Sequence, residues 1–221
     1  MNLATILFLF FVLILIPYLA LSSDRQLKKN GRLPLRKIFF LQAMTLQLAL
    51  GLLAVKAAAK NHIALWPEPS FDAVSIAAGV LILAVWWLSI RPCWDIQPEF
   101  RKRNLLYFLP ATPFEILLWG LLCLLAAICE EVAYRGVLVS LLSRRLVPWS
   151  LSIVLCSLIF AVSHMTQGVR SALIIIGFAL CLHILVRLSG NLYTAMAVHF
   201  IYNLIAGYMT KKFQISQAAY E

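Results

Sequence analysis

The sequence predicts an all-α fold: a polytopic transmembrane helix bundle of about seven spans (six to eight), with its N-terminus outside. Three observations predict it. Of the 221 residues, 62% are hydrophobic and 13% are charged, whereas a soluble domain has about 45–50% apolar and about 25% charged residues. Apolar runs of about 20 residues, enough to cross a ~30 Å hydrocarbon core, recur along the whole chain, and the mean hydropathy is +0.89. The lysines and arginines behind the net charge of +10 gather in the connections beside those runs. That placement fits the positive-inside rule and contact with anionic lipid, so no nucleic-acid partner is expected. The chain reads as one integral membrane domain, 1–221. Its N-terminal spans, 1–112, carry no motif, and 113–210 forms a second set of spans that carries the polar residues.

Each element has its own warrant. The first run, Asn2 to Leu21, is long enough to span. Ala20-Leu21-Ser22 faintly resembles a signal-peptidase site, but no positive residue precedes the run, which is read as a retained span. Arg25, Lys28, Lys29, Arg32, Arg36 and Lys37 follow within Asp24 to Lys37, the strongest orientation signal in the chain, and put this loop in the cytoplasm. A second span covers about Ile38 to Ala59, with Lys56 and Lys60 free to snorkel. The third, Phe71 to Ile90, ends in the interfacial pair Trp86-Trp87. Arg91 to Pro113 is a long polar connection holding Arg101-Lys102-Arg103, again cytoplasmic, in part along the bilayer surface.

The fourth segment starts near Pro113, a favourable first helical residue, and continues to about Leu142. At ~30 residues, about 45 Å of helix, it must tilt or break. Arg144, Arg145, Pro148 and Trp149 make an outer turn, against the positive-inside count. Span five runs from Trp149 to about Met165, span six from Ser171 to Leu188, and span seven from Leu192 to Met209. Arg170, Lys211 and Lys212 then fall on the cytoplasmic side. Cys93, Cys123, Cys129, Cys156 and Cys181 show no CxxC spacing and read as small buried hydrophobes.

Charges in the fourth span set the function problem. A charged side chain at the bilayer centre costs at least ~2.5–3.5 kcal/mol on insertion scales, and such residues usually mark a pathway or a site. Glu131 and Arg135 lie four apart with the acid first, the favourable order for a helical ion pair. Glu130 points about 100° away and is left free for other work. His164 ends span five, and His199 and Asn203 share a face of span seven. Counted at about 1.5 Å per residue, Glu130 and His164 lie about 22 and about 24 Å from the outer turn at 145–148, and His199 and Asn203 about 12 and about 18 Å from Asn191. All four converge between the midplane and the cytoplasmic side. His183, four residues before Arg187, is an ambiguous neighbour of the site, and Tyr134 and Tyr202 flank it, with packing as their first role.

A carboxylate and a histidine sharing a water make a nucleophile by general-base catalysis, and a second histidine with an amide can hold the oxyanion of a peptide carbonyl. Glu130 with His164, and His199 with Asn203, fill these roles. Zinc on Glu130, His164 and His199 is the other way to activate water; HExxH is absent, and no cofactor is the favoured reading. A non-catalytic membrane protein that binds or blocks a peptide uses the same residues. A small proton-coupled transporter is opposed by the lack of a repeated half.

Glu130-Glu131-x-x-x-Arg135, Phe160-x-x-x-His164 and His199-x-x-x-Asn203, in this order on successive spans, resemble the CPBP family of intramembrane proteases. That family includes CAAX-processing Rce1-type enzymes and bacteriocin-immunity (Abi) proteins. The resemblance covers roughly Phe114 to Met209 and makes 113–210 the catalytic core. It implies that Glu130 activates water with His164, that His199 and Asn203 form the oxyanion hole, and that Glu131 and Arg135 organise a site open toward the cytoplasm. It leaves open a glutamate-type or a zinc mechanism; the pairing of His199 with Asn203 favours the first. The implied substrate is a membrane-bound peptide or protein C-terminus: a CAAX-like tail, a peptide precursor or a C-terminal sorting signal. The compact size and the absence of a eukaryotic targeting element point to a prokaryotic inner or plasma membrane.

Overall fold

The computed structural model describes residues 2–30, 35–69, 71–95, 97, 98, 102 and 105–218. Arg32, Arg101 and Arg103 of the two basic loops lie outside these residues. Among the described residues there is no strand, and a helix follows each apolar segment.

Leu3–Phe10, a π-helical Phe11–Leu15 and Ile16–Asn30 join as α1; Arg36–Lys60 is α2 and Ala73–Asp95 is α3. Pro113–Glu130, a π-helical Glu131–Leu138 and Val139–Arg145 run on as α4. Trp149–Val162 is α5, Val169–Ser189 is α6 and Tyr193–Ala218 is α7. Five helices are long and apolar enough to cross a membrane, Leu3–Lys29, Arg36–Lys60, Ala73–Asp95, Pro113–Arg145 and Val169–Ser189, while Trp149–Val162 is a shorter apolar helix. The chain is an integral membrane protein.

Local chemistry explains the helix ends. Thr112 caps α4, Pro113 takes the first helical position, and the Glu115 carboxylate reaches back to the Thr112 N–H at 3.3 Å in a capping box. Asn2 caps α1 through a 2.9 Å bond from the Thr5 N–H. Gly190, in the left-handed region at φ 67°, closes α6. The long α4 does not break: it runs for 33 residues, with a change of register inside it.

α2 packs along α4, α3 against α7, α5 against α6, and α1 against α2. The main core joins Phe8 and Val12 of α1, Leu50 and Ala54 of α2, Val132 and Leu138 of α4, and Phe160 of α5. Outward-facing Leu52, Val80, Leu117 and Leu173 are exposed and form part of an apolar belt suited to lipid tails. At one end of the bundle, Asn61 after α2 gathers three helices: its amide donates to Thr5 Oγ1 at 2.7 Å, Arg145 donates to its side-chain oxygen at 3.1 Å, and Arg144 to its carbonyl at 3.4 Å. The two arginines that oppose the charge count at this turn are therefore engaged at the carbonyl end of α2. At the other end, Arg36 donates to the Tyr107 carbonyl at 2.9 Å and Lys211 to that of Pro110 at 3.1 Å, which ties the connection before α4 to α2 and α7.

Candidate active site

The hydrogen-bond register of α4 changes where its charges sit. From Glu131 to Leu138 the helix is π-helical, and the N–H of Val139 bonds the Tyr134 carbonyl, five residues back. Such wide turns appear frequently at functional sites. Glu131 and Arg135 are fully enclosed here, with Arg135 Nη1 3.1 Å from Glu131 Oε1. The guanidinium also sits 4.6 Å from the ring centre of Phe160 on α5, a cation–π contact that helps to hold a desolvated arginine.

The pair has a third member. His199 of α7 places Nδ1 2.8 Å from the same Glu131 oxygen, and its Nε2 faces Glu130 Oε2 at 3.7 Å. His199 thus lies between the two carboxylates, and its hydrogen bond goes to Glu131. Asn203, one turn further along α7, lines the same cavity.

Glu130 is not free, which corrects the reading from helical spacing. Its Oε1 accepts a 2.5 Å hydrogen bond from Gln47 Nε2 of α2. Gln47 was missed because the first three spans hold no motif. The signal was there: an amide in the middle of an apolar span, where polar groups are costly. Close packing lets it reach. A Cβ on Gly51, one turn along α2, would lie 2.7 Å from Cys129 Sγ, so only glycine permits this approach of α2 to α4.

His164 follows α5, and its Nδ1 is 2.8 Å from the Phe160 carbonyl. A carbonyl only accepts, so Nδ1 carries the proton and a neutral ring keeps the lone pair on Nε2. His164 and Glu130 line one cavity from different helices, with no direct hydrogen bond between them among the described residues. The Tyr134 hydroxyl bonds Ser163 Oγ at 3.2 Å, and its ring meets Phe160 edge-on. Tyr202 stacks on Phe178 at 4.5 Å. His183 is buried within reach of the Arg135 charge and does not line the cavity.

That cavity has a volume of about 520 Å³, within the ~300–1,000 Å³ of small-molecule sites. All seven helices contribute to its lining. Glu130, Tyr134, Phe160, His164, His199, Tyr202 and Asn203 line it, with Glu131 and Arg135 behind. From Glu130 it extends to Gln97 and to Thr166 and Gln167, between α5 and α6.

The arrangement holds a buried carboxylate, an imidazole oriented by a backbone carbonyl and a second imidazole between two acids, all beside one cavity. Residues 112–205 match the family described as type II CAAX prenyl endopeptidase, Rce1-like. This segment is similar to the Rce1-like domain of the CAAX protease family. The matched segment spans α4 to the first half of α7 and contains each of the three motifs. Its family consists of endopeptidases that act on membrane-associated protein substrates. No curated protein and no solved structure matches the chain.

Zinc would need Glu130, His164 and His199 at one point. Among the described residues no three His, Cys, Asp or Glu side chains are so grouped, and both nitrogens of His199 already face carboxylates.

Proposed function

We propose that this protein is an intramembrane endopeptidase of glutamate type that cuts a peptide bond near the C-terminus of a membrane-associated substrate. The substrate is a CAAX-like tail, a peptide precursor or a C-terminal sorting signal. The observation that carries the reading is the buried set Glu130, Glu131 and His199 at the wall of one cavity shared with His164 and Asn203.

Glu130 takes a proton from water as the water oxygen bonds to the scissile carbonyl carbon. His164 Nε2, left unprotonated by the Phe160 bond, accepts the water's second hydrogen bond and orients it. The carbonyl π electrons move to oxygen, and the oxyanion is held by the Asn203 amide and by His199, whose imidazolium form donates Nδ1–H to Glu131 and carries a further N–H at Nε2. The tetrahedral intermediate then expels the amine as Glu130 returns the proton. Glu131 and Arg135 act as positioning residues. The cavity's extension toward Gln97 and Gln167, at the end with the basic loops, supports entry from the cytoplasm.

The test compares membrane peptides in cells carrying wild type and Glu130→Gln. A peptide shortened by wild type alone is expected, with the rate on that peptide reduced about 10²- to 10⁴-fold in Glu130→Gln. Equal cleavage by both would remove the mechanism. Protection from a peptide toxin that survives both Glu130→Gln and His164→Ala would instead support a binding protein.

A further inference from the structure

We infer that Gln47, in the N-terminal half and outside the Rce1-like segment, is a positioning residue of the active site that holds the Glu130 carboxylate for its task. The inference rests on the reading of Glu130 as the base. Gln47 lies on α2 and lines the cavity. Its Nε2 donates to Glu130 Oε1 at 2.5 Å, and that bond leaves the second oxygen, Oε2, as the one facing His199.

Among the described residues, Gln47 is the one whose side chain hydrogen-bonds Glu130 Oε1. A glutamate carboxylate on three rotatable bonds beside an open cavity has several orientations, and a general base must be within hydrogen-bond reach of its proton. One bond to an amide carried on a fixed helix favours one orientation. α2 is fixed at this level by the contact of Gly51 with Cys129, the neighbour of Glu130. It is further fixed by Leu50 and Ala54, both buried in the main core. Gln47 therefore reaches Glu130 from a fixed stretch of backbone, and an amide at this site gives the bond without adding charge to a cluster that already holds two acids. Its own Oε1 is buried with no partner among the described residues, so the side chain is not held there by other polar bonds. An apolar residue would fill that space at lower cost in a structural role.

The test uses the full chain in liposomes and the peptide released by wild type. Gln47→Met keeps volume and removes the bond; Gln47→Asn keeps the amide and is too short to reach. Both are expected to lower kcat about 10- to 100-fold with KM within about twofold, as expected for a small misplacement of a reacting group. Thr45→Val, on the exposed face of α2 where Thr45 bonds only Leu41, is the control and stays at wild-type rate. A double-mutant cycle on thermal unfolding with Gln47→Met, Glu130→Gln and the pair reads the contact without substrate, and non-additive shifts are expected. Additive shifts, a kcat within twofold in Gln47→Asn, or a loss confined to KM would each overturn the inference. Full activity in Glu130→Gln would instead overturn the reading of Glu130 as base. A Glu130→Gln variant without activity beside an unaffected Gln47→Met defeats only the role of Gln47.

Discussion

His199 Nδ1 and Arg135 Nη1 meet at a single oxygen, Glu131 Oε1, at 2.8 and 3.1 Å. One carboxylate therefore holds a buried guanidinium and the ring beside Glu130. Glu131→Ala leaves Arg135 enclosed without its counter-charge, which costs about 3–5 kcal/mol, and it also frees the imidazole. The variant is expected to melt markedly lower in detergent and to lose activity. Glu131→Gln, which keeps the shape, should recover much of the melting temperature and little of the rate. Equal recovery of both would make Glu131 structural alone.

Gly51 gives a second prediction. Its missing Cβ would meet Cys129 Sγ at 2.7 Å, so Gly51→Ala pushes α2 off α4 and stretches the Gln47–Glu130 bond. Overpacking of this kind costs about 1–3 kcal/mol. Cys129→Ala should restore both stability and rate in the Gly51→Ala background. Thermal melting and turnover of the four proteins measure this; additive losses would refute the close-packing argument.

Gly207 of α7 faces Trp119 of α4, and a Cβ there would come within 2.3 Å of the indole. Trp119 lines the cavity. Gly207→Ala must therefore move the indole, with a shift of tryptophan emission and a change of KM larger than that of kcat. Trp119→Leu in the same background should relieve the strain. Unchanged KM in Gly207→Ala would show that this wall does not touch the substrate.

Asp72 carries a pH prediction outside the spans. The Ser75 hydroxyl and then the Ser75 N–H, at 2.9 Å, hydrogen-bond its carboxylate and lower its pKa from the ordinary 3.8. A group depressed in the folded state adds stability that is fully present above its ordinary value and is lost as pH falls through its lower folded value. Acid titration of thermal unfolding should therefore be steeper below about pH 3.8 in wild type than in Asp72→Asn. Identical acid limbs would refute it.

The sequence made the helices legible because each span had to be a long apolar run, and the structure put a helix on every one. The ends were less legible. α1 continues through Arg25 and Lys28 to Asn30, since basic residues continue a helix as well as they end a span. The ion pair of Glu131 with Arg135 could be read from spacing, which reports faces. Partners on other helices could not: His199 bonding Glu131, and Gln47 bonding Glu130, depend on how helices pack, and periodicity is silent on that. The π-helical turns of α4 leave no mark in composition, because a shift from four- to five-residue bonds uses the same residues.

The contact of Gly51 with Cys129 also bears on where this protein can be cut. Likeness to other chains starts at residue 112, yet the α2 surface that covers Glu130 belongs to the first half. Expressed without residues 1–111, α4 would turn Cys129 and Glu130 toward lipid, and an acid there costs ~2.5–3.5 kcal/mol on insertion scales. The boundary drawn by the family match and the boundary drawn by solvation are different lines, and a fragment designed on the first would lack the wall that keeps its own carboxylate out of hydrocarbon.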